Sequence, residues 1–188
     1  MSTRKRFILA ITGASGSLYA LEFLKIMHTL DAEVHAIISE AGRQVLGIEL
    51  GIRPQDLDEY VAKWYDVRDF AAPMSSGSSL FDGMIVLPCT MGTLASIANG
   101  ISRNLIHRAA DVTLKERRPL LLAVRETPFN KTHLQNMLRA HEAGAIICPP
   151  MPSFYNKPQS IEEMARVFAG RLASLLGLVV PDQPRWGN

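Results

Sequence analysis

The chain has 188 residues, 47% of them apolar and 20% charged, and its 20 Lys and Arg against 18 Asp and Glu leave a formal charge of +2. That balance excludes a bulk electrostatic pull toward nucleic acid or an anionic membrane, so the basic residues act by position rather than number. The length suits a single domain, 1–188, around one substantial core, and the two cysteines, Cys89 and Cys148, make no disulfide framework and fit a reducing, cytoplasmic compartment.

The basic start, Met1 to Arg6, leads into an apolar run that Thr12-Gly13 cuts short, which is neither a signal peptide nor a membrane span. Strands are predicted at Phe7 to Ile11, Val34 to Ile38, Met84 to Leu87, Leu120 to Val124 and Ala145 to Cys148. Helices are predicted at Ser17 to Leu30, Glu40 to Leu50, roughly Gln55 to Lys63, Gly92 to Ala98, Asn104 to Arg117, Lys131 to Ala143 and Ile161 to Leu176. The strand runs are continuously apolar, as in strands buried on both faces, and they alternate with helices. This predicts a three-layer, doubly wound α/β fold with a parallel sheet.

Ligands of such sheets sit beyond the carboxyl ends of the strands. After the first strand, Gly13-Ala14-Ser15-Gly16 joins a strand to a helix and reads either as a phosphate-sized anion site or as a tight turn with a serine cap. It lacks the GxGxxG spacing of dinucleotide binders, which favours one phosphate over a pyrophosphate. Ser39 follows the second strand. Glu49 shares a stripe with Ala41 and Val45 near a helix C-terminus; burial and the dipole there would raise its pKa and make it a proton donor, unless it stands in water at a frayed end.

Phe70 could face a developing carbocation or anchor the loop behind it. That loop, Pro73 to Leu80, is small and rich in hydroxyls, suited to closing over a ligand if it is not merely solvated. Thr90-Met91-Gly92-Thr93 repeats the turn logic after the next strand. Cys89 has no base supplied by the sequence and reads as a buried small residue. Arg108, Asp111, Lys115 and Arg118 form a charged stripe at helical spacing, by default a solvated face with ion pairs and alternatively an anion site.

Arg125-Glu126 puts a cation and a carboxylate directly after a strand, where packing does not account for them. Phe154-Tyr155-Asn156 lies in a proline-punctuated loop, and Arg171 lies beside Leu172, Leu175 and Leu176, where it either meets an anion or snorkels to solvent. The five histidines show no metal-ligand spacing, and Asp56-Leu57-Asp58-Glu59 is not a magnesium-holding DDxxD pattern, so no catalytic metal is expected.

The segments Thr12 to Gly16, Ser75 to Ser78, Pro88 to Leu94, Arg108 to Val112, Leu114 to Leu120, Arg125 to Pro128, His133 to Leu138, Phe154 to Asn156 and Arg185-Trp186 together resemble the UbiX/Pad-type flavin prenyltransferases along essentially the whole chain. The resemblance implies a flavodoxin-like fold, FMN as the bound nucleotide in its reduced form, dimethylallyl monophosphate as prenyl donor, no metal, and a homododecamer with sites at subunit junctions. It implies that Gly13, Ala14, Ser15, Ser39, Thr90, Met91, Gly92, Thr93 and Arg125 hold the FMN. Lys115, Arg125, Glu126, Tyr155 and Arg171 would gather the donor phosphate, with Arg108 arriving from a neighbouring subunit and Phe70 facing the prenyl group. Ser15, Glu49, Glu126 and Tyr155 are the catalytic candidates, with Ser15 and Glu49 handling protons.

The same resemblance implies that the five-carbon unit joins N5 and C6 of the flavin, and that the product serves a partner decarboxylase of ubiquinone synthesis or aromatic acid breakdown. Phe70 departs from the Trp that many family members carry, which weakens the π face there. Two other readings stand beside this one. A related FMN-dependent cysteine decarboxylase would carry a PxMNxxMW motif, which Pro149 to Tyr155 lacks; a non-catalytic FMN carrier would bind flavin without changing its mass.

Overall fold

The computed structural model describes residues 4–184 and Gly187; Met1 to Thr3 and the Arg185-Trp186 pair of the resemblance lie outside the described residues. Six parallel strands, β1 (Arg6–Ile11), β2 (Glu33–Ile38), β3 (Lys63–Tyr65), β4 (Gly83–Cys89), β5 (Leu120–Val124) and β6 (Ile146–Ile147), form one sheet in the order β3-β2-β1-β4-β5-β6. The helices are α1 (Ser17–Thr29), α2 (Glu40–Leu50), α3 (Met91–Ala98), α4 (Leu105–Lys115), α5 (Lys131–Glu142) and α6 (Ile161–Leu175). Without the short edge strand β3, the remaining order is the 2-1-3-4-5 of flavodoxin-like folds, with its switch point between β1 and β4.

The continuous apolar runs of β1, β2, β4 and β5 are buried on both faces, as predicted, whereas the run at Ala145 to Cys148 forms a short, half-buried edge strand, β6. One face of the sheet packs Phe7, Leu9 and Ile11 with α1, α2 and α6 through Phe23, Leu46 and Leu172. The other packs Ile8, Ala10, Met84 and Val86 with α3, α4 and α5 through Leu94, Ile106 and Ala140. Odd and even residues of a strand thus serve different layers, which is why no polar alternation appears in the sequence.

β3 was not expected, and the helix predicted at Gln55 to Lys63 is a 3₁₀ segment, Pro54–Tyr60, that stops before it. Three residues are too few to show a period, and the apolar signal of Trp64 and Tyr65 merges with the preceding turn. Polar contacts fix this edge. His35 is buried with Nδ1 3.0 Å from the Tyr65 hydroxyl and Nε2 on the Glu33 carboxylate. Burial pushes the His35 pKa down against the pull of Glu33.

The amino-terminal rim is closed by Arg6, whose amide donates to the Asp82 carboxylate at 2.8 Å and whose guanidinium lies 4.8 Å from the Phe81 ring centroid. On the far layer, Glu22 of α1 is buried but paired, accepting from Lys25 at 2.7 Å and from Arg166 of α6 at 3.2 Å. A cavity of about 580 Å³ opens beside it, between α1, α6 and residues Val180 to Pro184.

Candidate active site

The turns after β1, β4 and β5 are tied into one rim. The Thr12 hydroxyl donates to the Pro88 carbonyl at 2.7 Å and accepts the Thr90 amide at 2.9 Å, which locks the first turn to the second across the switch point. The Arg125 amide donates to the Cys89 carbonyl at 3.0 Å, which joins the third. Gly13, Ala14, Ser15, Thr90, Met91, Gly92, Thr93, Arg125 and Glu126 are therefore neighbours at the carboxyl end of the sheet, and Ser39 joins them through its amide on Ile11 at 3.0 Å.

Two helix N-termini face this rim, and they differ. Gly16 caps α1 with φ 121°, a conformation that glycine takes without a Cβ penalty, and it aims the first amides of the helix outward. Those amides are already used: the Glu49 carboxylate accepts from Gly16 at 3.0 Å and from Ser17 at 2.7 Å. The turn is an anion site whose anion is a side chain of the same chain. At α3, Thr90 caps the Thr93 amide at 3.2 Å, and a Cβ on Gly92 would meet nothing within 4 Å. Gly92 is exposed with open space beside its α-carbon, so the first turn of α3 has room at the position a ligand phosphate fits.

The Glu49 expectation is corrected. Ala41 and Glu49 are exposed and Val45 half-buried, so the stripe is not a buried apolar one; α2 packs through Gly42 and Leu46 instead. Burial would raise the Glu49 pKa, but hydrogen bonds from the Ser15 hydroxyl, the Ser17 and Gly16 amides and the Ser17 hydroxyl outweigh it and hold the carboxyl below its usual range. At neutral pH Glu49 is therefore a carboxylate, with the Ser15 hydroxyl as its hydrogen-bonded neighbour.

The cations do not gather on one rim within a chain. Lys115 ends α4 before β5 begins, whereas Arg125 follows β5, so a strand of five residues, about 13 Å, lies between their levels. Lys115 pairs with Glu116, and Arg108 donates to the Ser75 carbonyl at 3.1 Å and to Asp111 at 2.8 Å. Arg118 donates to the Ser79 and Gly77 carbonyls, both at 2.8 Å. The stripe includes the expected Arg108–Asp111 ion pair, but its main work in the chain is to fasten the Pro73 to Leu80 loop. That loop is therefore no free lid over the rim of its own chain. Its bonds run from side chains to backbone carbonyls across long sequence separations, which no local pattern encodes.

Tyr155 is exposed in the loop after β6, Arg171 is exposed on α6, and Phe70 is half exposed in the segment after β3. Cys89 is fully buried, and burial pushes its thiol well above the ordinary range; burial also pushes the Cys148 thiol up, to about 12. Among the described residues no three His, Cys, Asp or Glu side chains gather as a metal site. Nor is any helix there long and apolar enough to cross a membrane. Sequence reasoning missed Tyr19, whose half-buried ring stands over the first turn; its signal was an aromatic with a polar tip one turn inside a rim-facing helix.

The family model named Flavoprotein matches residues 1–176. A flavin prenyltransferase UbiX from Methanothermobacter thermautotrophicus is 46% identical over 186 residues, covering 99% of this chain and 97% of its own. The crystal structure of AnUbiX (PadA1) in complex with FMN and dimethylallyl pyrophosphate superposes with a TM-score of 0.96 at 42% identity, covering 98% of each chain. A dodecameric FMN-dependent UbiX-like decarboxylase from Escherichia coli O157:H7 gives 0.92 at 36% identity, covering 97% of this chain and 99% of its own.

Proposed function

The chain belongs to the flavoprotein family, among its flavin prenyltransferases, and on that premise we propose that it transfers the dimethylallyl group of dimethylallyl monophosphate to N5 and C6 of reduced FMN. The observation that carries this reading is the open amino-terminal turn of α3 at Met91 and Gly92, held beside Arg125 and Glu126 by the bond from the Arg125 amide to Cys89. A nucleotide phosphate fits the amides of α3, and Arg125 is then adjacent for a second phosphate.

Reduced FMN supplies the nucleophilic ring positions that receive the five-carbon unit. The chain's own residues do the rest. Gly13, Ala14, Ser15 and Ser39 line the flavin side of the rim with small side chains, and Thr90, Met91, Gly92 and Thr93 receive its phosphate. Arg125, Tyr155, Arg171 and Lys115 place positive charge and a hydroxyl around the donor phosphate as its bond to the allyl carbon breaks, an electrostatic role that needs no proton transfer. Glu126 takes part at the same rim, and Phe70 offers a π face to the allyl fragment. Glu49, as a carboxylate, draws a proton through the Ser15 hydroxyl.

The site is shared between copies of the chain in this reading. Lys115 lies toward the opposite rim from Arg125, so it reaches a donor phosphate bound at Arg125 only from a neighbouring subunit, and Arg108 of the same helix arrives from a neighbour in the same way. The dodecameric relative supports such an assembly, and so do the exposed side chains of Ile48, Leu80, Leu134 and Leu138. The modified flavin is then passed to a decarboxylase, and the two free thiols suit a cytoplasmic setting.

The test is anaerobic incubation of reduced FMN with dimethylallyl monophosphate, followed by weighing the flavin, with the diphosphate as comparison donor. We expect the flavin to gain one five-carbon unit. A bound flavin of unchanged mass would leave only the carrier reading, and release of carbon dioxide from a peptidyl-cysteine would favour the decarboxylase.

A further inference from the structure

The end of α4 is shaped by its backbone before any side chain acts. Lys115 is the last helical residue, Glu116 is the cap residue, and Arg117 has φ 55°, left-handed for a residue that is not glycine. The Arg117 amide donates to the Leu114 carbonyl and the Arg118 amide to the Thr113 carbonyl, both at 2.9 Å, which is the paired closure of a Schellman turn. Inside a helix, neighbours in sequence point about 100° apart and do not meet. Here the helix has ended, so the Lys115 ammonium and the Glu116 carboxylate pair directly although they are adjacent in the chain.

The Gly77 loop is fastened against this pair. Arg118 follows the same turn and donates from its two terminal nitrogens to the Ser79 and Gly77 carbonyls, both at 2.8 Å. A Cβ on Gly77 would stand 2.6 Å from Nζ of Lys115 and closer still to Oε1 of Glu116, so the pair occupies the space that a side chain there would take. Lys115 and Glu116 keep an open side, at 47% and 33% exposure, by which an incoming anion can reach the ammonium. The hydrogen bond and charge of Lys115, reinforced by Arg118, hold the Glu116 carboxyl below its usual range, so it is ionised at neutral pH.

We infer that Glu116 sets the affinity for the prenyl phosphate by standing in for it on Lys115: it holds the ammonium between turnovers, yields it when the donor docks, and takes it back as phosphate leaves. This rests on the reading of Lys115 as a ligand of that phosphate. An ammonium is a compact point charge, and two anions crowded onto it repel each other. The donor therefore binds against the carboxylate, and the released phosphate departs with its help. Glu116 acts through Lys115 and forms no bond to the reacting atoms.

The experiment uses the full-length protein loaded with oxidised FMN, so that no turnover occurs, and titrates dimethylallyl monophosphate and, separately, inorganic phosphate by calorimetry. The variants are Glu116→Gln, Glu116→Ala, Lys115→Met and the double variant Lys115→Met with Glu116→Gln. Glu116→Gln keeps the shape of the side chain and should tighten donor and phosphate alike about threefold, the scale of an exposed ion pair, while FMN affinity and Tm stay at wild-type values. Glu116→Ala should tighten both in the same way. A gain in affinity is not a result that damage to the turn would produce. Lys115→Met should weaken donor binding, and on that background Glu116→Gln should change it by less than about 1.5-fold, the non-additivity expected of residues acting as a unit.

Unchanged or weaker donor binding in both Glu116 variants, beside a Lys115→Met variant that does lose affinity, would overturn the inference and leave Lys115 as a phosphate ligand. The full gain persisting beside Lys115→Met would also overturn it, because the carboxylate would then repel the phosphate without acting through the ammonium. Wild-type donor affinity in Lys115→Met would remove Lys115 from the donor site and the inference with it. A wild-type protein that shows the expected coupling yet never alters the flavin mass would overturn the reaction and leave the exchange on Lys115 standing.

Discussion

The carboxylate of Glu49 accepts the Ser17 amide at 2.7 Å, so the last turn of α2 supplies the cap that α1 lacks in its own sequence. The folded pKa lies below the unfolded one, so the stabilisation is present above the usual carboxylate range and is lost as pH falls through the folded value. We expect Glu49→Ala to cost about 1 kcal/mol at pH 7, the scale of a lost cap held down by solvent exposure. Urea unfolding of wild type and variant should converge in acid. Glu49→Gln keeps an acceptor and should bind FMN normally while prenylation slows; loss of flavin instead would make the residue structural.

The opposite-rim placement of Lys115 and Arg125 gives a complementation test. Lys115→Ala and Arg125→Ala should each be nearly inactive as pure assemblies. Subunits unfolded together and refolded in equal amounts should regain activity in roughly a quarter of the sites if each site draws one residue from each of two copies. No recovery in correctly assembled mixtures would place both residues in one chain's site.

A Cβ on Gly77 would lie 2.0 Å from Oε1 of Glu116 and 2.6 Å from Nζ of Lys115. Both are the ends of flexible side chains, so Gly77→Ala should move them and leave the fold largely intact, with a stability change within about 1 kcal/mol. Displaced Lys115 should then weaken donor binding with FMN affinity unchanged. A variant with wild-type donor affinity would show that the Lys115 position is not set by this loop.

Phe70 is 48% exposed, so removing its ring costs little packing. Phe70→Ala should slow single-turnover prenylation roughly fivefold, about the worth of one cation–π contact, and Phe70→Trp should be tolerated. An unchanged rate in the alanine variant would remove the residue from the mechanism.

The layered fold and the rim turns were legible because long apolar runs and glycine turns are local signals. β3 was not, since Lys63 to Tyr65 is too short to carry a period and its pairing with β2 comes from sheet geometry. The sign of the Glu49 shift was hidden for a different reason: the sequence places a carboxylate at the end of one helix but does not say that the first amides of another helix point at it. Arg108 and Arg118 were read as a surface stripe because their partners are backbone carbonyls more than thirty residues away, and carbonyls have no letter in a sequence. The roles of Arg125 and Tyr155 came from resemblance alone.

The Thr12 hydroxyl has one proton, committed to Pro88, and a lone pair committed to the Thr90 amide. A methyl in its place would orphan both groups at once, and valine, though nearly the same shape, is no substitute. The two sides of the notch therefore keep a fixed width as the protein breathes. A guest arriving there meets walls already set, and the loss of freedom on docking falls on the guest alone.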